Sequence, residues 1–506
     1  MNNITADADG GASILGGQNN TILHSSAVIG GGICNCISGS GTTQTLVGGE
    51  ENVAGGNHSS VVGGCENTAT GDSSFIGAGD KNTTFGDNSI IVGGTNNTAS
   101  GVHSSIVGGC NVKAFGDFNN ILGGNSNTTC SPYSQVLGGC NNSATADHSL
   151  VVGGINNTAN VHYAAIVGGS GSVASGTGSF VGTADRATSC GDFSAVVAGT
   201  SNSSTNHQAF IGAGCENAVS GVASSIVSGK CNTVTACNAI VGSGFGNCVV
   251  DEASSIVGGQ DNQIESNCDK HFIGSGLCNT ITGNANLVSI VGGNCNNITA
   301  GDYGFIGGGS LNEVVGSCSA ILAGNLNIAS GSNAVVLAGT NNTASGNNSF
   351  VGLGNNNIAS ADSSIVIGGT GSCATAACAI VVGGKDNISS GTFNLIVGGN
   401  LNRACSSYTA VISGFCNTSR HDYGVVAGGY ENCVASCGGF IGAGYNNIAS
   451  SRCGAVVVGG KDNHMVRATD APQFGFIGGG LGNIMSGSSY STIPGGCGNI
   501  VKNAAY

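Results

Sequence analysis

The sequence predicts an all-β chain, a parallel β-solenoid (β-roll) of about 32 coils with a period of 15 residues. Three observations predict it. An asparagine returns at a fixed step: Asn52, Asn67, Asn82 and Asn97 stand 15 apart, the step continues to Asn262, and a second run goes from Asn297 to Asn447. An aliphatic residue stands six places before each anchor, as at Ile14, Ile29, Leu46, Val61, Ile76 and Ile91, and as late as Ile493. Glycine makes up 93 of 506 residues, and no segment is free of it for three helical turns, which excludes helices. So short a unit buries nothing by itself; stacked neighbours bury a continuous core.

One cycle, residues 97–111, reads Asn-Thr-Ala-Ser-Gly-Val-His-Ser-Ser-Ile-Val-Gly-Gly-Cys-Asn. The first short strand ends on the aliphatic residue, and a Gly-rich corner leads to the anchor. A second short strand follows, with a small or branched residue two after the anchor: Ala54, Ala69, Ala99, Ala159, Val234, Ile264, Val434. A glycine four after the anchor, as at Gly56, Gly71, Gly86, Gly101 and Gly221, marks the second corner. Each strand is expected to pair with its copy one coil on, about 4.8 Å away, so that 32 coils would form a rod roughly 150 Å long. The anchors Asn52, Asn67, Asn82 and Asn97 are expected to form an amide ladder and to take the left-handed conformation at the corner. In the coil at Asn297 the register is ambiguous by one, with Ile290 or Val291 as its aliphatic residue. Residues 1–11 read as a lead-in, 12–462 as regular repeats, and 463–506 as irregular coils with an inserted loop.

One exchange inside the repeat points to assembly. The aliphatic pair before Gly-Gly, as in Ile106-Val107, becomes aliphatic-Gly at Gly77, Gly182, Gly212, Gly274, Gly307, Gly352, Gly442 and Gly478. The residue two earlier is then phenylalanine: Phe75, Phe180, Phe210, Phe272, Phe305, Phe350, Phe440 and Phe476. Residues two apart share one face of a strand, so ring and aliphatic fill one volume, opposite the inward column. A strand apolar on both faces implies that the outer one is covered by another chain. This column is the expected oligomer interface.

Composition narrows the function. The net charge is −14, and the 12 Lys and Arg are scattered, so no basic patch is present for nucleic acid. Three prolines without Gly at every third place exclude collagen. No stretch approaches the roughly 20 apolar residues of a membrane helix. No secretory signal is recognisable at the N-terminus, yet 23 cysteines are many for a reducing cytosol, and the expected setting is extracellular or a virion surface. Gly77-Ala78-Gly79 lacks the Gly-Lys-Ser/Thr and helix of a phosphate loop, and the 26 carboxylates gather in no recurrent cluster. Neither catalytic residues nor a cofactor are expected. Asn-x-Ser/Thr triplets such as Asn96-Asn97-Thr98 follow from the composition, so glycosylation depends on the host.

The cysteines offer candidate disulfides. Cys215 and Cys231, and likewise Cys437 and Cys453, fall on adjacent coils, where Cα separations suit a disulfide. Cys433 could also reach Cys437 across a corner, and small apolar filler is the competing reading. Cys34-Asn35-Cys36 is too tight for a zinc pair. Cys268-Asp269-Lys270-His271 is half a metal motif, for which a solvated loop is the plainer reading. The insertion at 464–474, with Arg467, Asp470 and Pro472, reads as a surface bulge or a contact loop.

The run Ser104-Ser105-Ile106-Val107-Gly108-Gly109, with Asn97 to Gly101 before it, resembles the head repeat of trimeric autotransporter adhesins (the YadA-like head). Similar repeats occur in some phage and viral tail fibres. The resemblance spans about residues 12–500 and implies a left-handed roll, a homotrimer and an adhesive fibre with a host receptor or glycan as partner. The family's coil is one residue shorter, and its signal peptide, neck, stalk and membrane barrel have no counterpart here. The leading expectation is a non-enzymatic fibre on a virion or cell surface. One alternative is a subunit that polymerises head to tail, cross-linked by cysteines. Another is an ice-binding face built on Thr68, Thr98 and Thr158, though Cys36, Val53, Cys248 and Ile298 interrupt that column.

Overall fold

The structure is a computed structural model that describes residues 1–5, 10–39, 42–466, 474–486 and 490–502. It is all-β, a parallel β-solenoid of about 32 coils, and no helix forms among the described residues. The chain divides into two compact units, Met1–Val249 and Val250–Tyr506.

Both units use the same coil. In the first, Leu46, Val61, Ile76 and Ile91 are register partners from coil to coil, as are Ala54, Ala69, Thr84 and Ala99 on the second strand. In the second unit Ile321, Val336 and Val351 and Ala329, Ala344 and Ala359 do the same. Both columns are fully buried. Each branched side chain so removed from water contributes about 1.5–3 kcal/mol, and the facing alanines keep the coil thin. A third contact per coil forms two places before the anchor, as in Glu50↔Cys65↔Asp80↔Thr95. Residues 1–11 already contain a strand, Asn3–Ile4, paired with Thr21 and Ile22. Beyond residue 462, His464–Val466, Ile484–Ser486 and Ile500–Lys502 stay in one parallel ladder. Arg467, Asp470 and Pro472 lie outside the described residues.

The asparagine ladder is the organising device. Asn67 donates its backbone N–H (3.0 Å) and its Nδ2 (3.1 Å) to Oδ1 of Asn52. The same Nδ2 also donates to the carbonyls of Gly63 (3.0 Å) and Gly79 (2.8 Å). Oδ1 of Asn67 in turn accepts from the backbone N–H and Nδ2 of Asn82, both at 3.0 Å. One buried amide thus closes its own corner and ties three coils. The step holds even where the residue changes: Val112 N–H still reaches Asn97 Oδ1 at 2.9 Å, and Ser172 Oγ donates to Ala184 O at 2.9 Å in place of an amide.

Two expectations need correction. The anchor is not left-handed. The residue before it is: Glu51, Glu66, Lys81 and Asn96 have φ of 54°, 53°, 57° and 55°. The anchor recurs for its four-way hydrogen bonding, not for its backbone. Secondly, the anchor of the ambiguous coil is Asn296, not Asn297: Asn296 N–H reaches Asn279 Oδ1 at 3.1 Å and Nδ2 reaches Gly292 O at 3.0 Å. Ile290 is its buried aliphatic residue and Val291 is about half exposed. The following step, to Asn312, is 16 residues, which is what a count fixed at 15 hides.

Glycine three places before the anchor is required twice over. Gly79 has φ +116°, and a Cβ there would stand 2.2 Å from the carbonyl oxygen of Gly94, an oxygen already engaged by Asn82 Nδ2 at 2.9 Å.

Candidate functional site

The outer face of the first strand carries an uncovered apolar ridge within each unit, beside a column that is mixed, with Ser105, Asn120 and Gln135 in register. Val47, Val62, Val92, Val107, Leu122, Leu137, Val152, Val167, Val197 and Val227, all five places before an anchor, are 37–54 % exposed. Because their strands pair in register, they form one ridge along the first unit. Where the ridge residue is glycine, the phenylalanine two before leans across it. The rings of Phe75, Phe210, Phe272, Phe305, Phe440 and Phe476 lie 3.4–3.5 Å from where a Cβ would stand on Gly77, Gly212, Gly274, Gly307, Gly442 and Gly478. Phe180 and Phe350 share the column, and all eight rings are half-buried or exposed. Val28 before Gly30 and Ile240 before Gly242 extend the exchange beyond phenylalanine.

A second column borders the ridge. Four places before the anchor stand Gly31, Gly48, Gly63, Gly108, Gly138 and Gly153, where a Cβ would meet nothing within 4 Å and φ is not positive. Ala78, Ala213 and Ser228 occupy the same place, so the backbone tolerates a side chain there. The chain's own packing does not explain why the column stays small.

All 23 cysteines are free thiols. Cys437 and Cys453 are direct register partners; burial first, then the facing Cys453 thiol, raises Cys437 above the ordinary thiol range. Cys215 and Cys231 are offset by one column: Cys231 N–H reaches Cys215 O at 3.0 Å, while the Cys231 thiol donates to Glu216 Oε2 at 3.2 Å. That bond, ahead of burial, raises the Cys231 thiol. Cys433 and Cys437 lie on the same coil, either side of one corner. Counting by 15 missed Cys278 and Cys295. These follow one another 17 residues apart, each directly before an anchor, and burial first, then the facing Cys295 thiol, raises Cys278 above the ordinary thiol range.

His271 corrects the solvated-loop expectation. Residues 267–270 are half-buried or exposed, but His271 is 1 % exposed. Its Nε2 lies 2.7 Å from Ser266 Oγ, 2.9 Å from Cys268 O and 3.8 Å from Asp251 Oδ2. Asp251 Oδ2 also accepts from Ser266 N–H at 2.6 Å. Asp251 and Ser266 stand where regular coils carry the corner glycine, and His271 where they carry a buried serine such as Ser89. Burial pushes His271 below the ordinary imidazole range, against the opposing pull of the Cys268 carbonyl, Asp251 and Asp269. The carboxylate faces the same nitrogen as the serine, not Nδ1, so the three lack the relay order of a hydrolase triad.

Among the described residues one group has metal-ligand spacing: donor atoms of Cys65, Glu66 and Asp80 lie within 4.8 Å of one another. Burial, then Glu50, Glu66, Asp80 and Glu51, raises the Cys65 thiol, which favours the protonated form over a metal-binding thiolate. Lys81 competes for Glu66 at 3.7 Å.

Aromatic stacks were also legible in the spacing and went unread. His103, Phe118, Tyr133, His148 and Tyr163, six after successive anchors, stack with centroids 4.9–5.1 Å apart. Tyr133, Gln135, His148, Ser149 and Leu150 line a shallow depression of about 260 Å³ beside them. In the second unit Phe415, Tyr430 and Tyr445 stack at 5.0 and 4.9 Å, with Lys461 Nζ 5.1 Å above Tyr445. The threonine column after the anchors, with Thr68, Thr98 and Thr158, is half-buried and broken by Lys113. No helix among the described residues is long and apolar enough to cross a membrane.

No protein-family model matches the chain, and no curated protein matches it.

Proposed function

We propose that this is a non-enzymatic structural protein whose outer ridge packs against further copies of the same chain at a virion or cell surface. The homotrimer implied by the resemblance to adhesin heads is the leading arrangement. The observation that carries the reading is the ridge. In the first unit alone it sets ten large apolar residues, each 37–54 % exposed, in one line. Isolated soluble surfaces rarely leave so long an apolar patch open. The small column beside it supports close approach by another backbone, since at its six named glycines nothing among the described residues occupies that space. A second copy fits best because it offers the same coil spacing, so that ridge residues meet in step over the whole contact.

Light scattering of the purified chain tests this. A mass at a multiple of 48.9 kDa is expected. Val92→Asp, Val107→Asp and Leu122→Asp together should return it to 48.9 kDa with unchanged far-ultraviolet dichroism, because exposed substitutions leave the fold within about 0.5 kcal/mol. A wild-type chain of 48.9 kDa at micromolar concentration overturns the proposal.

A further inference from the structure

We infer that Cys278–Cys295 and Cys437–Cys453 are sites of disulfide formation between consecutive coils, closed by a small-molecule disulfide and opened again by thiol. The backbone sets each pair. Cys278 and Cys295 sit between the register pairs Leu277↔Asn294 and Thr280↔Asn297, with φ of 53° and 52°, so the two residues repeat one conformation a single coil apart. Cys437↔Cys453 is itself a register pair, and Gly454 N–H closes on Cys437 O at 2.8 Å. In-register neighbours lie about 4.8 Å apart, inside the range of about 4.4–6.8 Å between Cα atoms that a disulfide spans. In both pairs the facing thiol is close enough to raise its neighbour, so no coil has to move far.

The remaining cysteines lack this arrangement. Among all 23, no other two occupy one column on consecutive coils. Cys231 points its thiol at Glu216 and is offset from Cys215. Both assigned pairs fall where the regular step is stretched, to 17 residues between anchors at Asn279 and Asn296 and to 16 at Asn447 and Asn463. A covalent staple there would secure coils that depart from the regular step.

The chemistry balances. One cysteine thiolate attacks the small-molecule disulfide, forming a mixed disulfide and releasing one thiolate. The facing cysteine, having lost its proton to water, attacks the protein sulfur of that mixed disulfide and expels the second thiolate. Two protein thiols are oxidised by two electrons, and one disulfide is reduced to two thiols. Because Cys278 and Cys437 are held above the ordinary thiol range, closure should quicken as the pH rises through that range.

The test uses the full chain in its native state. It is incubated with glutathione disulfide, free thiols are alkylated, and peptides are mapped by mass spectrometry without reductant. Linked peptides joining Cys278 to Cys295 and Cys437 to Cys453 are expected, and both should vanish after reduction. Cys278→Ser should leave Cys295 carrying a persistent glutathione adduct that the wild type does not accumulate. Recovery of the four cysteines as alkylated thiols overturns the assignment. So does a wild-type Cys295 adduct as abundant as in the variant.

Discussion

Between Asn52 and Asn97 the anchors step by 15 residues; between Asn262 and Asn312 they step by 17, 17 and 16. The hydrogen bonds from each anchor N–H to the preceding Oδ1 are nevertheless 3.0–3.1 Å in both regions. The extra residues all enter one corner, after the second strand. There the chain rejoins the coil through a left-handed residue: Lys270, Leu287 and Tyr303, with φ of 69°, 55° and 61°. The other corner, from the buried aliphatic residue to the anchor, keeps its length throughout, from Ile76 and Asn82 to Ile273 and Asn279. It is clamped at two carbonyls by the anchor amide, whereas the variable corner of a regular coil has a backbone turn such as Ser89 N–H to Gly86 O at 3.2 Å and one backbone bond to the preceding coil, Asn88 N–H to Asp72 O at 2.7 Å. The stretched coils keep the second, as in Lys270 N–H to Glu252 O at 3.1 Å. Period is therefore a consequence of the ladder, and length can change wherever the ladder does not reach.

Ile106→Ala in a regular coil and Ile290→Ala in a stretched one should each cost about 2–5 kcal/mol, and equally, since both side chains are fully buried. Native-state hydrogen exchange of the flanking coils reads this directly; a cost confined to the regular coil would mean that stretched coils are packed differently. Asn82→Ala and Asn279→Ala come next. Each orphans the next anchor's buried N–H and the carbonyl of Ala78 or Ser275, and takes one of two donors from the carbonyl of Gly94 or Gly293, at about 1–3 kcal/mol per buried group left unpaired. Asn→Asp at either place should be worse above pH 5, because a carboxylate would then face those carbonyls.

A smaller effect separates the regions by pH. His271 has its pKa lowered by burial, so the native state resists protonation while the unfolded chain, near 6.5, accepts it. Stability of that coil is full above about pH 6.5 and falls as the pH drops below it. Protection factors at residues 266–272, after correction for the intrinsic pH dependence of amide exchange, should fall on acidification, and His271→Ser should remove the dependence. Coils with serine at this place, such as Ser89, should show none. The smallest effect is expected from inserting two residues between Ser332 and Asn333, in the variable corner of a regular coil. Loop lengthening of this size costs under about 1 kcal/mol, and melting should barely shift. One residue inserted between Gly93 and Gly94 should instead unfold the neighbouring coils.

The contrast also explains what the sequence disclosed. The inward columns, the amide ladder and the ridge were readable because each recurs at a constant step and stacks side chains of one chemistry. The anchor at Asn296 was obscured because Asn297 beside it carries the same side chain, and it takes the hydrogen bonds of Asn296 and the burial of Ile290 rather than Val291 to decide between them. The burial of His271 could not be read from spacing, since an insertion of two residues normally marks a solvated bulge. Cys278 and Cys295 escaped for the same reason: their neighbourhood exists in ladder register and not in residue count. The left-handed residue before the anchor was misplaced by one because Asn is the residue best suited to that conformation, while here Glu51 and Lys81 adopt it under the constraint of the amide next to them.

The claim that the ladder, and not the period, holds the coils together is tested most directly by hydrogen exchange at the anchor amides. Those of Asn279, Asn296 and Asn312 should be protected as strongly as those of Asn67, Asn82 and Asn97, because the same buried Oδ1 accepts each of them. Protection lower by a factor of about 100 or more in the stretched coils, some 2.7 kcal/mol, would contradict it.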